Sequence, residues 1–340
     1  MQPKMIRLLT LALLATAAAR TCRYSDLSQP ESDDFVVPSD CTSIELAHQS
    51  QGVNDAMASL ARGIAAAPVQ RLNLQSASFG STALKAFVGA LEGADCKELS
   101  NCCTLTSLNL GHNFIGKRGG ALVGELLRHC PMVAELELTA TGLDDKGVED
   151  LAGGLAQSAV VTLVLASNSV AEAGVQHLVH ALLGGRGGAA ARQWGDTLEY
   201  LDMSGNALAD RGALALASAL WRVTKLTTLW LADAQIGPEG ALAIAEALPT
   251  APGPIGRLYV NGNAIGAKAA VRFLAEEEKT STYVYQRDLV DGGGAAPDEP
   301  MPPEKLSFDL VAAARSGGGA QAAPRVRMED LELSELKDEP

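Results

Sequence analysis

Aromatic rings are scarce in this sequence: Phe, Tyr and Trp supply 4% of its 340 residues, so its core must be aliphatic. Positive charge is also short, with 27 Lys and Arg against 40 Asp and Glu, a net charge of −13. Nucleic-acid binding rests on clustered cations that meet phosphates, so no nucleic-acid partner is expected. Long apolar runs are missing: the one from Leu8 to Ala19 is too short to span a bilayer, and no later stretch could cross one. The chain lacks a nucleophile elbow, and no strand precedes its glycines in the spacing of a phosphate loop. Cys96, Cys102 and Cys103 have no fourth zinc ligand at a suitable spacing, and His177 and His180 have no third. No catalytic residue, cofactor or metal site is therefore expected.

What the chain does have is a repeated unit. Leu105 to Cys130 reads Leu105-x-x-Leu108-x-Leu110-x-x-Asn113-x-Ile115-Gly116, followed by a segment rich in Ala, Leu and Val. Its first half has the two-residue period of a short strand, with Leu108 and Leu110 inward and Asn109 outward. In its second half, Leu122, Leu126 and Leu127 fall at helical spacing on one stripe. Neither half can bury its apolar face alone, so the unit needs copies on both sides. The second strand leucine recurs at Leu46, Leu74, Leu110, Leu138, Leu165, Met203, Leu231 and Val260, mostly in steps of 27 to 29 residues. Two longer steps, before Leu110 and before Met203, each hold one period plus an insertion.

The pattern L-x-x-L-x-L-x-x-N-x-I-G followed by a helix resembles the ribonuclease-inhibitor type of leucine-rich repeat over about residues 41 to 286. Similar repeats occur in nucleotide-binding innate immune receptors and Ran GTPase-activating proteins. The resemblance implies an α/β fold: a right-handed leucine-rich-repeat solenoid, or horseshoe, with a parallel sheet on the concave side and helices on the convex side. It implies a non-catalytic scaffold, monomeric, that binds a protein partner, because such families share a framework and differ in what it holds. The alternative is an intracellular GTPase regulator of the Ran type, for which Arg118 is a weak candidate arginine and the tail lacks a dense acidic block. Asn113, Asn168, Asn206 and Asn263 occupy the repeat position whose amide satisfies backbone groups in the turn after each strand.

The ends read differently. Lys4 and Arg7, the apolar run, then Ala17-Ala18-Ala19 follow the order of a secretory signal peptide over residues 1–19. A mitochondrial presequence is the rival, since no acid precedes Asp26, but the unbroken apolar run favours secretion over a mitochondrial or cytoplasmic location. Residues 20–40 read as an irregular lead-in or cap, and Thr282 to Tyr285 as a strand closing the sheet's far end. Residues 287–340, acidic and rich in Gly and Pro, cannot build a core and are expected to be disordered. The six cysteines leave their pairing open. Cys22 and Cys41 flank the start of the array, where a disulfide would staple a cap. Cys96 could close a small loop with Cys102 or Cys103, which leaves Cys130 at a buried helix end as a free core thiol.

Between the two strand leucines of each repeat one residue projects from the concave face: Glu45, Asn73, Asn109, Glu137, Val164, Asp202, Trp230 and Tyr259. Tyr200 and Arg257 flank this row. Tyr200, Asp202, Trp230, Arg257 and Tyr259 therefore gather on three neighbouring strands as the candidate protein-binding site, since Trp, Tyr and Arg anchor interfaces. The plainer account is that Trp230 and Tyr259 pack on each other and simply cover the sheet. The glycine-rich stretch Gly184 to Gly188 leads into the sixth strand and could close over the patch.

Overall fold

The computed structural model describes residues 20–29, 32–49, 52–93, 103–184, 194–253, 255–280 and 283–285. The expected signal segment, the glycine-rich stretch beyond Gly184 and the tail lie outside the described residues. Two compact units divide the chain at Gln286 and Arg287, and all described residues belong to the first.

Strands β4 (Cys41–Glu45), β5 (Arg71–Asn73), β6 (Ser107–Asn109), β7 (Glu135–Glu137), β8 (Thr162–Val164), β9 (Tyr200–Asp202), β10 (Thr228–Trp230) and β11 (Arg257–Tyr259) begin the eight repeats. Each is followed by a helix: α1 (Val53–Ala66), α2 (Ser81–Gly93), α3 (Gly116–His129), α4 (Asp145–Leu155), α5 (Glu172–Leu182), α6 (Ala209–Ala217), α7 (Pro238–Ala247) and α8 (Gly266–Thr280). The strands pair in parallel and in chain order, flanked by β1 (Arg20–Arg23) beside β4 and β12 (Tyr283–Tyr285) beside β11. The result is an open ten-stranded sheet among the described residues, and the fold is a leucine-rich-repeat solenoid. Register is in phase throughout: Leu72, Leu108, Leu136, Leu163, Leu201, Leu229 and Leu258 meet as successive partners. All are buried, because a one-residue slip would turn the whole row to solvent.

Three-residue strands cannot hold a sheet together unaided, and the turns after them supply the rest. Two residues beyond each marker leucine the backbone is left-handed: His48, Ser76, His112, Ala140, Ser167, Gly205, Asp233 and Gly262. That conformation aims the amide at the next repeat: His112 donates to Thr139 O at 2.7 Å, Ala140 to Ala166 O at 2.9 Å, Ser167 to Ser204 O at 2.7 Å. The repeat asparagines fill the space beneath. The Asn168 amide nitrogen donates to Leu138 O, Leu165 O and Ala166 O, and its oxygen accepts from Thr141 N and Leu143 N at 3.1 Å. Asn113, Asn206 and Asn263 repeat the arrangement, each amide bridging the marker carbonyls of its own repeat and the one before. Buried backbone groups in an irregular turn must be paired, and one amide here serves several of them.

The helices are stapled across repeats as well. Asp145 Oδ1 accepts from Ala171 N and Gly174 N at the start of α5, and Asp210 Oδ1 accepts from Gly237 N and Gly240 N at the start of α7. An acid of one repeat thus caps the helix of the next. Helices α3 and α4 approach most closely where a β-carbon on Gly120 would collide with the Gly147 carbonyl, and one on Gly154 with the Gly124 backbone.

Two expectations need correction. Where an irregular lead-in was expected, β1 joins the main sheet, and β2 (Ser28–Gln29) pairs with β3 (Ser32–Phe35) as a second, two-stranded sheet. Cys130 is not a free thiol: it forms a disulfide with Cys103, 27 residues earlier, because the end of α3 and the run into β6 lie side by side with Cα atoms 4.9 Å apart. Cys22 and Cys41 form the other disulfide of the described residues, on neighbouring strands β1 and β4. Cys96 and Cys102 lie outside the described residues.

Candidate functional site

Pleating puts two side chains of each three-residue strand on the sheet's open face and sends the central leucine into the core. The registers align them as two rows. One runs Glu135, Thr162, Tyr200, Thr228, Arg257; the other runs Glu137, Val164, Asp202, Trp230, Tyr259. All five residues singled out from the sequence therefore share one face across β9, β10 and β11.

Trp230 and Tyr259 stack, with ring centroids 3.7 Å apart and planes 13° from parallel. In-register partners on parallel strands are about 4.8 Å apart, so rings standing up from the row meet face to face. Tyr259 is buried in the stack, and Trp230 is half-buried. The plainer expectation, that these rings pack on each other, holds. The expectation that the whole row projects into solvent does not: Asp202 is 5% exposed and Val164 8%, and Thr228 in the flanking row is 4% exposed.

The acids of this row and Asn109 share a structural task. Glu137 Oε1 accepts from Thr139 N at 2.7 Å, Asp202 Oδ1 from Ser204 N at 2.8 Å, and Asn109 Oδ1 from Gly111 N at 2.9 Å. Each ties the turn two residues on, which a short polar side chain at a strand end does readily. The electrostatics go beyond that task. Burial pushes the Glu137 carboxyl up to about 7, and nearby Asp202 adds to the shift while Thr139 hydrogen bonds oppose it. Burial also raises Asp202, against the hydrogen bonds of Ser204. Tyr200 is raised strongly, first by burial and then by the charges of Asp202 and Glu137. Among the described residues, no cation lies within ion-pair distance of either acid, although Arg257 stands two strands from Asp202. The Trp230 indole N–H is buried, with no hydrogen-bond partner among the described residues. Sequence reasoning passed over Glu137; its place in the same register row as Asp202 was the available signal.

Other candidates sit elsewhere. Arg118 is exposed on α3. His177 and His180 lie on α5, with His177 Nε2 4.0 Å from Glu149. Glu92, Glu125 and His129 bring one potential ligand atom each within 4.8 Å of one another on α2 and α3. There a hydrogen bond with Glu92, with some burial, raises the Glu125 carboxyl above its ordinary range. No helix among the described residues is long and apolar enough to cross a membrane.

This repeat geometry defines a leucine-rich-repeat protein, and a family profile described as "Leucine Rich repeat" matches residues 101–124, 197–217 and 224–245. Among solved structures, internalin C2 from Listeria monocytogenes is similar at 17% identity, over 75% of this chain and 80% of that one, with a TM-score of 0.38. A TLR13 chain, solved as a complex with ssRNA13, is similar at 15% identity over 66% of this chain and 26% of that one, with a TM-score of 0.36. At such identities and scores the likeness bears on neither partner nor chemistry. No curated protein sequence matches significantly.

Proposed function

We propose that this chain is a non-catalytic, secreted scaffold that holds a protein partner on the open face of its sheet, centred on Tyr200, Asp202, Trp230, Arg257 and Tyr259. The observation that carries the reading is the stacked Trp230–Tyr259 pair beside a buried acid, on a face whose other strands present mostly small or polar groups. Aromatic rings cover large area at small entropic cost, and a leucine-rich-repeat framework uses side chains, not backbone, to choose its partner. Secretion is supported by the two disulfides, which persist in oxidising compartments, together with the signal-like residues 1–19. A repeat subtype resembling the ribonuclease-inhibitor type fits the 27- to 29-residue period.

The test has two parts. Residues 1–23 fused to a reporter should direct its export; retention in the cytosol would contradict the secreted reading. A partner captured by cross-linking to the full chain should lose at least about 1 kcal/mol of binding on Trp230→Ala or Tyr259→Ala. Unchanged affinity in both variants would remove this face as the site.

A further inference from the structure

We infer that the partner enters this face with a basic polypeptide segment, seating a lysine or arginine side chain between Glu137 and Asp202 and beside the Trp230 ring. This rests on the sheet-face reading proposed above and makes it chemically specific.

Charge complementarity carries it. The described face strands present Arg23, Glu45 and Arg71 towards one end of the array and Arg257 towards the other, while Glu135, Glu137 and Asp202 lie between them. Glu137 and Asp202 are two strands apart in one row, separated by the small Val164, and neither has an ion pair among the described residues. Each carboxylate gives one oxygen to its turn amide, at 2.7 and 2.8 Å. A desolvated acid without a counter-charge is unfavourable, and an incoming cation relieves it. Trp230 supplies the second requirement. Tyr259 covers one face of its indole, which leaves the other towards the β9 side, where Asp202 stands in register. A cation over an indole face beside a carboxylate gains from both. The third is the buried Trp230 Nε1–H, which has no acceptor among the described residues. A shift of the indole that opens this N–H lets a peptide carbonyl next to the basic side chain accept from it, and a free polyamine offers no acceptor. A polypeptide is therefore favoured over a small organic cation.

The experiment uses the full chain and fluorescein-labelled dodecapeptides of basic (Lys/Arg), neutral and acidic composition, with labelled spermine as a further arm, read by anisotropy. The basic peptides should bind best, and Glu137→Gln combined with Asp202→Asn should weaken them at least about tenfold. Those substitutions keep the oxygens that tie the turns, so the fold is retained. Glu239→Gln with Glu246→Gln, which neutralises two exposed carboxylates on α7, should weaken binding less than about twofold. Equal loss in both double variants means attraction by net charge alone and overturns the proposal. Spermine binding as tightly as the basic peptides, with the same loss in Glu137→Gln/Asp202→Asn, overturns it as well. Preferential binding of neutral or acidic peptides that Trp230→Ala abolishes overturns the basic specificity while the sheet-face reading stands. If peptides bind but no class responds to Trp230→Ala and Tyr259→Ala, both readings fall together.

Discussion

At the scale of single residues the repeat depends on a few side chains that each satisfy several backbone groups. Asn168→Ala would leave Thr141 N and Leu143 N without this acceptor in a buried turn and take one donor each from Leu138 O and Leu165 O, which keep Thr141 Oγ1 and the Asn206 amide. Urea unfolding should show a loss of about 3 kcal/mol or more, well above that of an exposed polar truncation. Ala140 illustrates the opposite case. Its φ of 52° is left-handed, which disfavours a β-carbon, so Ala140→Gly should raise stability by up to about 1 kcal/mol in the same assay. The asparagines were legible because they recur at one spacing. The left-handed position was not, since six of its eight occupants, His48 and Ala140 among them, carry no glycine to mark it.

Glu137 links residue chemistry to pH. Its folded carboxyl titrates at about 7 against an ordinary 4.5, so the folded state holds this proton more tightly than the unfolded chain does. The resulting stability is fully present below about pH 4.5 and is lost as pH rises through about 7. The groups facing it are Glu135 on its own strand and Asp202 and Tyr200 on β9; β6 and β8 themselves present Ser107, Asn109, Thr162 and Val164. Relative to wild type, Glu137→Gln should gain up to about 3 kcal/mol at pH 8.5, and the gain should vanish near pH 4.5. A gain that is the same at both pH values would mean that the carboxyl is not buried as described.

At the scale of elements, helix packing is limited by space as much as by apolar burial. Gly120→Ala would drive a methyl into the Gly147 carbonyl across the α3–α4 contact and should cost about 2 kcal/mol in thermal or urea unfolding. Gly153, inside α4, meets nothing within 4 Å of its would-be β-carbon, so Gly153→Ala should instead stabilise by up to about 1 kcal/mol. If both changes shift stability the same way, the close approach of α3 and α4 is misplaced. The strand markers and the helix from Val53 to Ala66 could be read from periodicity alone, since burial writes itself into the sequence with a two- or 3.6-residue period. The caps from Asp145 and Asp210 could not, because each serves a helix that starts 27 or 28 residues later, and local rules look for a cap within its own turn. The Cys103–Cys130 disulfide was hidden for the same reason: its partners meet through the fold, 27 residues apart.

At the scale of the whole molecule, an array of repeats that touch only their neighbours places its distinctive chemistry where the pattern is least regular. Here that is the open face of β7 to β11, with its stacked rings and, among the described residues, acids without an ion pair and an indole N–H without an acceptor. The row of middle residues was legible; the burial of Asp202 was not, because a strand's own sequence does not report what surrounds it in space. The three tryptophans of the chain allow a direct measurement. Trp194 is fully buried and donates to Val160 O, Trp221 is 57% exposed in the turn Leu220–Arg222 after α6, and Trp230 stands on the sheet face. With 5-fluorotryptophan in the full chain, fluorine NMR gives one resonance for each, assigned by Trp→Phe variants. Addition of a purified partner should shift or broaden the Trp230 resonance and leave those of Trp194 and Trp221 in place. A response confined to Trp221, with Trp230 unmoved, would contradict the central claim.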